Sequence, residues 1–117
     1  MKRLLSLASI VCMLVLSQFG DSSAAGPYDG KWAGAATSTG GRCKPASVTL
    51  TVAGEDVTGR AMFGLDALSI TGTVGEDGTL GATIGFRHLT GRFTRDQFEG
   101  AFKNSDCAWK VLLKRTN

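Results

Sequence analysis

An all-β fold is what this sequence predicts: eight antiparallel strands in an up-and-down meander, closed as a small barrel. Three observations carry that expectation. From Lys31 onward nearly every segment alternates polar and apolar residues with period two, and no window keeps a helical stripe. Eight such segments follow one another through mostly short connections, which is the number that closes a small barrel. Two cysteines, Cys43 and Cys107, fall where only an even strand count would let them meet.

The strands are read in order. Strand one is Lys31 to Thr37, with Trp32, Gly34 and Ala36 on one face, and the longest connection, Ser38 to Ala46, follows it. Strand two, Ser47 to Val52, sends Val48, Leu50 and Val52 inward. Strand three, Val57 to Phe63, and strand four, Leu68 to Val74, place Val57, Gly59, Ala61, Phe63 and Leu68, Ile70, Gly72, Val74 inward. Glu76-Asp77-Gly78 is a strong turn signal. Strand five runs from Thr79 to Phe86 with Leu80, Ala82, Ile84 and Phe86 inward. Strands six and seven, Leu89 to Phe93 and Phe98 to Phe102, each carry a central glycine, and strand eight runs from Cys107 to Arg115.

In such a meander strand one runs up and strand eight runs down beside it, so the loop holding Cys43 and the start of strand eight at Cys107 share a rim. One strand more or fewer would put Cys107 at the far end, beyond the roughly 7 Å between Cα atoms that a bridge tolerates. A Cys43–Cys107 disulfide closing 64 residues contributes on the order of 4 kcal/mol on the chain-entropy model. The outward face is polar, with Thr49, Thr51, Thr58, Arg60, Thr71, Thr83 and Arg92 on it, and the strands are shorter than a membrane barrel requires. The chain is therefore expected not to span a membrane. A flattened sandwich with the same strand order stays open.

Ahead of the strands, Met1-Lys2-Arg3 is a positive n-region and Leu4 to Ser17 an apolar h-region, too short to cross a bilayer. Small residues at Ser22 to Ala25 predict cleavage after Ala24 or Ala25. Residues 1–25 are thus expected to be a signal peptide and 26–117 a single barrel domain, periplasmic or secreted. Cys12 lies within the h-region behind Val11, which does not fit a lipid anchor. An even pair of cysteines in a small exported domain fits the disulfide. Removing Lys2, Arg3 and Asp21 takes the net charge from +3 to +2, without the concentrated basic stripe of a nucleic-acid binder.

Tyr28-Asp29-Gly30-Lys31-Trp32 at the opening, with Phe98-Glu99-Gly100-Ala101-Phe102 and Cys107-Ala108-Trp109 at the end, resembles a group of small exported Gram-negative bacterial β-barrel proteins of unknown function. A Gly-x-Trp on the first strand of an eight-stranded meander is also similar to lipocalins, avidins and barrel-shaped protease inhibitors. The resemblance implies ligand or protein binding, not catalysis. The short strands and the inward Phe and Trp residues depart from a hollow lipocalin-type barrel.

The side-chain inventory points the same way. His88 is the only histidine, no Gly-x-Ser-x-Gly elbow occurs, and both remaining thiols are committed to the bridge, so no enzyme activity, metal site or cofactor is expected. With odd strands running up, the upper loops carry Arg42, Lys44, Arg87, His88 and Lys103 against Asp66 and Asp106. The lower turns carry Glu55, Asp56, Glu76, Asp77 and Asp96 against Arg95, residues that turn chemistry alone also favours. A basic barrel mouth favours an anion. The expected function is a binding module that holds a small anionic or amphipathic molecule through Arg42, Lys44, Arg87, His88 and Lys103. The alternative is a cell-envelope interaction or inhibitor protein with a filled core, inserting Ser38 to Ala46 or Gly26 to Asp29 into a protein partner. The inward glycines Gly59, Gly72, Gly91 and Gly100 admit three roles: bending a narrow barrel, making room for aromatic neighbours, or lining a ligand pocket.

Overall fold

The computed structural model describes residues 26–116, and the signal peptide expected for 1–25 lies outside the described residues. Eight strands close into one barrel in sequence order. They are β1 (Gly30–Gly40), β2 (Ala46–Ala53), β3 (Asp56–Phe63), β4 (Asp66–Val74), β5 (Thr79–Ile84), β6 (Arg87–Phe93), β7 (Gln97–Lys103) and β8 (Ala108–Arg115). Every neighbouring pair is antiparallel, and β1 pairs with β8 from Trp32↔Arg115 to Gly40↔Ala108 to complete the circle. The closed barrel removes the flattened-sandwich alternative.

Three hairpins turn on two residues, Gly54-Glu55, Gly64-Leu65 and Gly85-Phe86, each with glycine first at φ 66°, 65° and 63°. Glycine at the first central position is the signature of the tight hairpin whose twist matches its strands. This turn chemistry corrects two readings from sequence. Phe86, expected inward at the end of a long strand five, sits on the turn and is fully exposed, because Gly85 ends β5 at Ile84. Arg87 and His88, expected in a loop, open β6. Lys103 closes β7 instead of standing in the next loop, because its pairing with Ala108 carries the β7–β8 ladder one residue further. The first connection is also shorter than expected, since β1 continues through a bulge between Ser38 and Gly40 and leaves only residues 41–45 as loop.

Alternation does the rest. Val48, Leu50 and Val52, then Leu80, Ala82 and Ile84, then Val111 and Leu113 point inward and are buried, while the threonines between them face water. The interior is filled by two aromatic groups. At the lower end Trp32, Phe93 and Phe98 pack at ring separations of 4.8 and 4.7 Å, with Tyr28 against Phe93. At the upper end Phe102 stacks on Trp109 at 4.8 Å and Phe63 sets its edge against both.

The glycines Gly91 and Gly100 lie opposite each other in the β6–β7 pair, beneath the ring of Phe98. A Cβ on Gly91 would stand 2.5 Å from both the Glu99 carbonyl oxygen and Phe98 Cζ, and one on Gly100 would stand 2.6 Å from the Thr90 carbonyl oxygen. Backbone and ring both occupy the space a side chain would need. The two glycines let adjacent strands approach and bend under an aromatic cover, so the room they make is already taken.

The lower end is closed. Trp32 Nε1 donates to the Tyr28 carbonyl at 3.0 Å, and the Asp29 carboxylate accepts from the Gly54 and Gly26 amides at 2.8 and 2.9 Å. Arg115 lies over the Trp32 ring at 4.5 Å and donates to the carbonyls of Pro27, Asp29 and Arg95. Residues 26–29 are thereby folded back onto their own barrel.

Candidate functional site

The upper end is built differently. The meander brings the connections after β1, β3, β5 and β7 to one rim. The Cys43–Cys107 disulfide, with Cα atoms 6.1 Å apart, ties the first of these to the last. Trp109 Nε1 donates to the Lys44 carbonyl at 2.9 Å, so the buried indole also holds the 41–45 loop in place.

Between β6 and β7 the ladder stops early. Pairing runs only from Phe93↔Phe98 to Thr90↔Ala101. Continued, it would join Leu89 to Phe102 and His88 to Lys103. Instead those residues are held on their other sides, by Ala82↔Leu89 and Thr83↔His88 in β5 and by Phe102↔Trp109 and Lys103↔Ala108 in β8. The two strands splay at the rim.

A groove of about 1020 Å³ occupies the split. Phe86, Arg87 and His88 form one side and Lys103 and Asn104 the other, with Thr90, Ala101 and Ala108 beneath, and the inward rings of Phe102 and Trp109 are reached through the gap. The alternation of β6 explains the placement: Leu89 points into the core, so Arg87, two residues away, points in at the mouth and His88 points out. The Arg87 guanidinium lies over the Trp109 ring, 5.9 Å from its centroid. A second cleft, of about 660 Å³, covers the barrel mouth and is lined by Arg42, Lys44, Phe63, Asp66, Arg87 and Trp109 among others.

The five residues expected to form the site therefore divide. Arg87, His88 and Lys103 share the groove, while Arg42 and Lys44 line the mouth cleft, and Arg87 with Trp109 belongs to both. The groove's aromatic part was absent from the sequence reading. Phe86 carries a sequence signal, the Gly-Phe turn, whereas the buried Phe102 and Trp109 touch the groove by their edges alone, through the splayed seam.

The lower turns are less one-sidedly acidic than their own residues suggest. Arg92 bridges to Asp77 at 3.4 Å. Asp77 also accepts from the backbone amide and hydroxyl of Thr79, and these bonds, with Arg92, hold its carboxyl below the ordinary aspartate value. Among the described residues no cluster of three His, Cys, Asp or Glu side chains is placed to hold a metal ion, and no helix is long and apolar enough to cross a membrane.

No family model, curated protein or solved structure matches this chain. What the site can do rests on its own chemistry.

Proposed function

We propose that the protein is an exported, non-enzymatic binding module for a small amphipathic anion, held in the groove at the opened β6–β7 seam. The observation that carries this reading is the coincidence of two surfaces. Phe86, with Ala101, Ala108 and Thr90 and only the narrow edges of the buried Phe102 and Trp109, offers an apolar bed, and the cations of Arg87 and Lys103 stand beside it. An aromatic or alkyl body lies on the rings and the threonine and alanine floor. Its carboxylate, sulfonate or phosphate meets Arg87, whose planar fork suits such groups and which is partly shielded from water. Lys103 and His88 add donors at the outer lip. Arg42 and Lys44 contribute field at the mouth rather than contact in the groove.

Anilinonaphthalene sulfonate, an amphipathic anion whose emission rises in apolar surroundings, is a direct probe. The folded, disulfide-bonded protein is expected to bind it saturably. Exchanging Arg87→Glu together with Lys103→Glu should weaken that binding by about tenfold or more, corresponding to about 1.4 kcal/mol per factor of ten. Lys103→Glu alone, which leaves the Arg87–Trp109 contact in place, should weaken it by a smaller factor. Equal affinity for the native protein and both variants, with circular dichroism unchanged, refutes the groove as the site.

A further inference from the structure

The upper rim carries two side chains that do nothing for the fold. Leu65 is 99 % exposed and Phe86 fully exposed, and the third exposed large apolar residue among the described residues, Leu112, is 44 % exposed on a strand face. Both tips occupy the second position of a Gly-x turn, where the backbone requires glycine first and asks of the next residue only that it tolerate water. At the lower end the same turn is Gly54-Glu55, and the other lower turns carry Glu76, Asp77, Arg95 and Asp96. The apolar choice is confined to the upper end. It stands among Arg42, Lys44, Arg87, His88 and Lys103, with Asp66 and Asp106 as the opposing charges.

We infer that this rim seats on an anionic phospholipid surface. Apolar tips that enter the boundary between headgroups and acyl chains, flanked by cations drawn to the negative surface, are the two elements of reversible interfacial binding. A protein interface would call for a contiguous apolar core. Here Leu65 and Phe86 stand on separate hairpins, each next to a charged residue, Asp66 and Arg87, which suits insertion of two points into a fluid surface. The barrel then stands end-on, with the closed lower end facing away and the β6–β7 groove next to the lipid. The inference does not depend on the groove holding a ligand, because Leu65 lines neither the groove nor the mouth cleft.

The test is co-sedimentation of the disulfide-bonded protein with vesicles of phosphatidylcholine alone and of phosphatidylcholine mixed with phosphatidylglycerol. Binding is expected to the anionic vesicles, to weaken by about tenfold or more on the neutral ones, and to fall as salt screens the rim. Leu65→Ser and Phe86→Ser are each expected to weaken it by roughly tenfold, the scale of one apolar side chain returned to water. Leu65→Ser should leave anilinonaphthalene sulfonate binding unchanged, which separates this surface from the groove. Phe86→Trp provides an independent readout, since the added indole's emission should shift to shorter wavelength with anionic vesicles. No binding to anionic vesicles, binding by both serine variants as tight as that of the native protein, no emission shift, or tip-dependent capture of a soluble protein without vesicle binding would each overturn the inference.

Discussion

Phe98 shows at the scale of one residue why the β6–β7 strands are shaped as they are. Its ring is wholly buried and lies over Gly91 and Gly100, so aromatic cover and missing side chains are one arrangement seen from two sides. Gly91→Ala is therefore expected to destabilise the protein by about 1 to 3 kcal/mol, as an added carbon is forced into filled space. A second variant separates backbone crowding from ring crowding. In a Phe98→Leu background the ring atom is gone but the Glu99 carbonyl remains, so the cost of Gly91→Ala should persist. Chemical denaturation of the four proteins in a double-mutant cycle measures this, and a coupling that cancels the whole cost would assign the glycine to ring space alone. Arg87 is the counterpart on the functional side, a half-buried cation two residues from a core leucine, placed over an aromatic ring at the mouth.

Among the elements, the β6–β7 pair stands apart. Its four paired positions, Thr90↔Ala101 to Phe93↔Phe98, contrast with the run from Ser47↔Met62 to Ala53↔Asp56 that holds β2 to β3. Amides that lack a strand partner open to solvent at low free energy. Hydrogen exchange followed by NMR is expected to be faster at His88 and Lys103, whose amides face the open seam while those of Leu89, Phe102 and Asn104 face β5 or β8, than in β2 and β3. Protection as strong at the seam as in β2–β3 would mean that the strands zip up in solution and the groove closes. The strands themselves were legible because alternation is a local property: each inward Val, Leu, Ile and Phe of β2, β3, β5 and β7 marks its own face, and Phe86 fails only because Gly85 interrupts the period it was counted in. The four cations and His88 were legible as a rim because the parity of the strand count decides which loops share an end. Their division between groove and mouth was not, because it depends on where the β6–β7 register stops, and that is fixed by pairing on the far sides of both strands. Phe102 and Trp109 read as core residues in sequence, and 3 % and 4 % exposed they are core residues; the splayed seam alone makes their edges reachable.

For the molecule as a whole, the decisive event is closure of β1 on β8, which joins the two ends of the folded chain. No short turn assists that pairing, so the chain must meet the loop entropy of nearly its full length before the ladder gives anything back. Two devices stand at the two ends of this seam. Below, Arg115 lies on Trp32 and donates to carbonyls of the 26–29 segment and the β6–β7 turn. Above, Cys43–Cys107 crosses the rim beside Gly40↔Ala108, where the bulge has disturbed the ladder. The bridge spans 64 residues, for which chain entropy gives on the order of 4 kcal/mol. Against a total of about 5 to 15 kcal/mol for a domain, that share is large. Replacing both cysteines with alanine is accordingly expected to lower the denaturation midpoint strongly while leaving Trp32, at the clamped lower end, with the blue-shifted emission of a buried indole. Because Trp109 also anchors the loop at Lys44, the same variant should lose part of its anilinonaphthalene sulfonate binding before it unfolds. An unchanged midpoint would show that strand pairing and the Arg115 clamp close the barrel by themselves, and would leave the bridge only the task of holding the rim in shape.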